Sequence, residues 1–210
     1  MLKIAKHEKA NVWTHFAGAL FAMTSVWMVL PASELSWKWG MSIAVYVAGM
    51  FLMFASSTIY HWATKKEVKQ FLRKIDHTNI YVMIAGSYSP ICLGVVGGYM
   101  GWIVFGLLWF VAIAGAVYKF LAIGRYPRLS LALYLIMGWS GVLLAKPVWE
   151  GLSWLELSLI LAEGLMYTIG TYFYSHDDNR NHFHAIWHIF VLLGALAHWG
   201  AVLSILVSNL

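Results

Sequence analysis

The feature that most constrains this chain is a succession of long apolar stretches separated by very short breaks. The stretches fall at about 12–31, 38–62, 77–97, 100–122, 129–149, 153–174 and 184–208. A helix needs ~20 apolar residues to cross a ~30 Å hydrocarbon layer, and each stretch is about that long. Seven crossings consume nearly all of the 210 residues and leave no room for a soluble domain. Charged residues make up 11% of the chain and apolar residues 61%, against roughly 25% and 45–50% in a soluble protein. Such a chain has too little polar surface to face water. The expectation is an all-α membrane protein, a single seven-transmembrane-helix bundle over residues 1–210.

The breaks run from Pro31 to Glu34, Gly97 to Tyr99, Arg125 to Arg128, Lys146 to Gly151 and His176 to Asn181. The first apolar run follows Lys3, Lys6 and Lys9 but is long enough to span, and no small-residue cleavage site follows it. It therefore reads as the first crossing and not as a signal peptide.

Basic residues are enriched in cytoplasmic loops, and their distribution orients the bundle. The N-terminal tail carries Lys3, Lys6 and Lys9. The second-to-third connection carries Lys65, Lys66, Lys69, Arg73 and Lys74. Lys119, Arg125 and Arg128 flank the fourth-to-fifth connection, and Arg180 lies between the last two stretches. Only Lys38 and Lys146 remain for the other side. The N-terminus is thus expected in the cytoplasm and the C-terminus outside, in the cell inner membrane. The net charge of +5 is then a topology signal and not a nucleic-acid footprint. The single cysteine, Cys92, rules out an internal disulfide framework and any multi-thiolate metal site.

Ionisable side chains are costly in lipid and usually functional. Those in or at the ends of the stretches are His15, His61, Asp76, His77, Glu163, His184, His188 and His198. With alternating helix direction, all except Glu163 and His198 converge at the cytoplasmic ends. His184 and His188 are four apart, so they share a helix face and can grip one ion. His61 supplies a third imidazole at the same depth, and Ser57 lies one turn before it. Three imidazoles with an open fourth position are the pattern of catalytic zinc, and the lack of thiolates disfavours copper(I) and iron–sulfur chemistry.

Other histidines have plainer readings. His15 reads as an interfacial residue bonded to a neighbouring loop, or as an accessory to the site. His77, about 100° round the helix from Asp76, reads as a headgroup contact. His176, His182, Asp177 and Asp178 read as solvated loop residues. His198 lies about 21 Å beyond His184 along the helix, too far to share its ion. Glu163, in mid-membrane, reads as a neutral hydrogen-bonded acid or as a station for substrate or protons. The glycines Gly49, Gly86, Gly106, Gly115, Gly138, Gly141, Gly164 and Gly170 suit close helix contacts.

The order of motifs carries a resemblance. Glu8-x-x-Asn11-x-x-Thr14-His15 opens the chain, and Ser56-Ser57-Thr58-Ile59-Tyr60-His61 ends the second stretch. Ile75-Asp76-His77, Ile80-Tyr81 and Ala85-Gly86-Ser87-Tyr88-Ser89-Pro90 follow, and His184-Ala185-Ile186-Trp187-His188 comes last. As a set these resemble the bacterial hemolysin III branch of the progestin and adipoQ receptor (PAQR) family. The resemblance implies seven helices with the N-terminus inside, and a zinc ion (Zn2+) held by His61, His184 and His188. It implies that Asp76 touches the zinc-bound water, with Ser57 beside it. It also implies kinship with membrane hydrolases, including alkaline ceramidases.

Two functions are then expected to compete. One is a zinc-dependent hydrolase of an acyl lipid or amide, acting in membrane lipid homeostasis, with Asp76 as base and Ser57 as a donor to the oxyanion. The other is a non-enzymatic sensor of lipid or membrane state, or a hemolysin-like pore, with a structural zinc. Membrane lipids are the expected partners in both.

Overall fold

The computed structural model describes residues 4–177 and 182–210; Lys3, Asp178 and Arg180 lie outside the described residues. The described chain is helical throughout, without a strand. Its helices are α1 Lys9–Thr24, α2 Val29–Leu35, α3 Trp37–Trp62, α4 Lys66–Pro90, α5 Gly98–Leu121, α6 Pro127–Trp139, α7 Ala145–Gly151, α8 Trp154–Ser175 and α9 Phe183–Asn209. Short 3₁₀ turns join α1 to α2 and α6 to α7, so nine helices make seven rods. Six of the rods are long and apolar enough to cross a membrane. The exception is α8, whose 22 residues extend about 33 Å but include Glu156 and Glu163. Both acids point inward, Glu156 to Ser204 and Glu163 to His198, so α8 can be polar without offering charge to lipid. The protein is a membrane protein with several spans.

Local chemistry explains most of the boundaries. Ser36 caps α3 by accepting from the Trp39 N–H. Ser153 and Glu156 bond each other's backbone N–H in a capping box that starts α8. Pro127 begins α6, where its missing N–H costs nothing. Gly97 and Gly98 turn the chain with φ of 60° and 53°, a region that only glycine enters freely.

Three expected boundaries move. The first rod continues past Pro31 to Leu35, because Pro31 stands in the first turn of α2, where a proline is tolerated. The stretch from Lys146 to Gly151 is helical rather than a break. Most consequentially, α4 begins at Lys66 and not at 77. Its first three turns are too charged for hydropathy to mark them, although Val68, Leu72 and Ile75 recur at helical spacing.

The core sits where α3 packs between α1 and α4, while α9 packs on α8 and α1. Helices α3 and α4 meet glycine to glycine. A Cβ on Gly49 would lie 3.2 Å from the Val82 carbonyl oxygen, and one on Gly86 would lie 3.3 Å from that of Val45. Gly170 likewise admits Trp187 and Phe190 of α9. Gly106 and Gly138, by contrast, face open space.

Candidate metal centre

The end of α3, the third turn of α4, the start of α9 and the chain just before α1 converge at one end of the bundle. His61 lies in the last turn of α3, and His184 and His188 lie in the first two turns of α9. Their ligating nitrogens all lie within 4.8 Å of one another, close enough to hold a metal ion. His61 and His188 are buried, and His184 is half-buried.

Each imidazole is oriented through its other nitrogen. His61 Nδ1–H donates to Glu8 Oε2 at 2.6 Å, His184 Nδ1–H to Asp177 Oδ2 at 2.9 Å, and His188 Nδ1–H to the Asn11 carbonyl at 3.3 Å. A carboxylate and a carbonyl accept and do not donate, so each Nδ1 carries the ring proton and each Nε2 is left with a lone pair. The Nε2 atoms of His61 and His184 then face each other at 3.3 Å. Two lone pairs so close repel unless a cation lies between them. Carboxylate–histidine pairs of this kind fix the tautomer and raise ligand basicity at metal sites.

Glu8 is a site residue that no metal-ligand spacing marks in the sequence. One oxygen takes His61 and the Asn11 side-chain N–H at 2.8 Å, and the other takes Lys69 Nζ at 2.5 Å. It ties the start of α1, the end of α3 and the first turn of α4 together. Its signal in the sequence was the Glu8-x-x-Asn11 spacing, which puts the two side chains on one face of a turn.

Asp76 on α4 is a neighbour of Ser57 on α3. Both side chains line a cavity of about 970 Å³ that also reaches His184 and His188. That volume is at the upper end for a ligand pocket, and Met53, Ile80, Met83, Leu135 and Val191 give it apolar walls.

Several expected roles change. His15 is not an interfacial loop contact: it is 3% exposed and stacks on His188, with ring centroids 3.7 Å apart and 11° between planes. Glu8 and Asn11 anchor the turn below it, which carries His15 a full turn into the bundle. His77 is buried and faces Tyr174, so it does not reach lipid headgroups. Asp177, expected as a solvated residue, supports His184, whereas His176 and His182 are exposed. Glu163 and His198 pair with each other, far from the triad.

A family described as Haemolysin-III related matches residues 4–199. The chain belongs to the haemolysin-III-related family. It is 38% identical over 200 residues to the Hemolysin-3 homolog of Bacillus subtilis (strain 168), covering 94% of this chain and 93% of that one. It is 33% identical over 205 residues to the Hemolysin-3 of Bacillus cereus, covering 97% and 93%. The Monocyte to macrophage differentiation factor of Homo sapiens is 30% identical over 206 residues, covering 92% of this chain and 82% of that one. Distant relatives of the PAQR type are thus among the proteins it resembles, and His61, His184 and His188 stand in motifs quoted for that resemblance.

Proposed function

We propose that this haemolysin-III protein is a zinc-dependent hydrolase of acyl lipids or lipid amides, acting in membrane lipid homeostasis. One observation carries the reading. Three imidazoles, each oriented through Nδ1, converge at the end of a lipid-sized, largely apolar cavity that Asp76 also lines.

Zinc fits the donors. At Zn–N distances of 2.0–2.1 Å, two ligands of a tetrahedron stand about 3.3–3.4 Å apart, and His61 and His184 present their Nε2 atoms at 3.3 Å. A purely structural zinc usually closes its fourth position with a protein ligand. Among the described residues no fourth histidine, cysteine or carboxylate joins the cluster, which favours the enzyme over the structural reading. Zinc, when bound, supplies Lewis acidity and lowers the pKa of a coordinated water to ~7.

The protein's own part is positioning and proton movement. Asp76 takes the proton of the attacking water while the water oxygen bonds to the carbonyl carbon. As the C–O or C–N bond breaks, Asp76 returns that proton to the leaving oxygen or nitrogen. Ser57 lines the cavity together with Asp76. We assign its hydroxyl the donation to the developing oxyanion. Arg73 and Arg128 line the same cavity and suit an anionic headgroup.

The zinc-loaded protein in nanodiscs is expected to release free fatty acid from a panel of bacterial phospholipids and N-acyl lipids. A chelator should abolish release and added zinc restore it. No release across the panel would overturn the hydrolase. We also place the N-terminus and the triad on the cytoplasmic side of the inner membrane. A reporter active only outside the cytoplasm should be active after Leu210 and silent between Ala63 and Lys65; the reverse pattern would invert the bundle.

A further inference from the structure

The cavity continues beyond the triad to a second polar cluster. His198 follows His188 by ten residues on α9, about 15 Å along its axis. There it lines the same cavity with Glu163 and Ser87. His198 Nε2–H donates to the Ser87 carbonyl at 3.0 Å, and its Nδ1 faces Glu163 Oε2 at 2.6 Å. Acid and imidazole at such depth are expensive, and the hydrolytic site uses neither.

The hydrogen bonds leave one atom spare. Because Ser87 fixes the proton on Nε2, a single proton occupies the contact between Nδ1 and Oε2, whichever atom carries it. In both arrangements Glu163 Oε1 is an acceptor. Among the described residues nothing donates to it. The Tyr46 ring lies edge-on to His198, at 5.1 Å and 66°, and its buried hydroxyl also lacks a partner. Tyr88 and Tyr167 also lie near Glu163, and Ile84, Leu161 and Val191 give the cavity apolar walls there.

A saturated chain threaded past this point would strip water from Oε1 and give nothing back, and burying an unpaired polar group is costly. A chain with a hydroxyl at that depth would donate to Oε1. We propose that Glu163 and His198 form a second ligand subsite. It selects lipids that carry a hydroxyl about 15 Å, or roughly a dozen methylenes, from the group held at the triad. The inference rests on the lipid reading of the cavity and deepens it to a substrate class. Sites built to bond a hydroxyl reject the analogue without one, because their own polar atoms are then left unpaired.

The test compares two probes, octadecanoate and 12-hydroxyoctadecanoate. Each is titrated into the zinc-loaded full chain in nanodiscs and read by tryptophan fluorescence, since Trp139 and Trp187 line the cavity. The hydroxylated chain should bind about tenfold or more tighter, the worth of one hydrogen bond to a charged group. Glu163→Leu should erase the preference. Glu163→Gln should keep it, because its amide N–H can face Nδ1 while its oxygen stays toward the cavity. Zinc content and thermal midpoint report whether each variant is folded, and the wild-type comparison stands if one is not. Equal binding of the two probes by wild type, or a preference that survives Glu163→Leu, overturns the subsite alone. Binding of neither probe overturns the lipid cavity and the subsite together. A preference without any lipid hydrolysis removes the hydrolase and leaves the subsite in place.

Discussion

Asp76→Asn is expected to leave a folded, zinc-loaded protein whose release of fatty acid falls ~10²–10⁴-fold, the range a positioned general base contributes. The substitution keeps the size and polarity of the side chain, but the amide cannot take a proton from water. Asp76 is not among the three clustered ligands, so metal retention should change little. Zinc content by elemental analysis and fatty-acid release by mass spectrometry separate the two effects. Equal release by wild type and variant would remove Asp76 from the chemistry and leave a metal that only ties helices together.

The second large effect concerns metal retention. His188→Ala should empty the site, and His61→Ala and His184→Ala should do the same, because each removes one of three donors. Glu8→Gln should act more mildly. Loss of a carboxylate behind a ligating histidine typically costs ~10–100-fold in affinity or activity, and the amide still holds a partner to His61. His198→Ala, about 15 Å away along α9, should keep full occupancy. Zinc per chain after dialysis against a graded chelator series measures all five. Full occupancy in His188→Ala would dismiss the cluster as a metal site.

Residues differ in how far their sequence context exposes them. The apolar stretches announced the rods, because lipid demands length and hydropathy over the same window. The start of α4 was hidden for the same reason: Lys66 to Lys74 is too charged to register as apolar, so helix periodicity is the sole cue. His184 and His188 were visible as partners through their i,i+4 spacing, and His61 through its depth at a helix end. Glu8 and Asp177 were not, because each acts on a ring through a hydrogen bond that no spacing rule encodes. Glu8 stands 53 positions from His61, and only the folded bundle makes them neighbours. His15 offered two readings, and the structure places it at the second, beside the site. Its place near a chain end suggested an interface, whereas the anchored turn before it drew it onto His188. The pairing of Glu163 with His198 joins two helices across 35 positions and leaves no trace in either segment alone.

The glycine crossing of α3 and α4 sets the lever arms of the site. Gly49 lies about 18 Å along α3 from His61, and Gly86 about 15 Å along α4 from Asp76. The separation between a metal ligand and the base is therefore governed at a fulcrum several turns away. A tilt of about 10° at the crossing would swing the far end of either arm by about 3 Å, the length of a hydrogen bond. A methyl group added at Gly49 or Gly86 touches neither ligand nor base, yet it works at the point where the smallest displacement is most amplified.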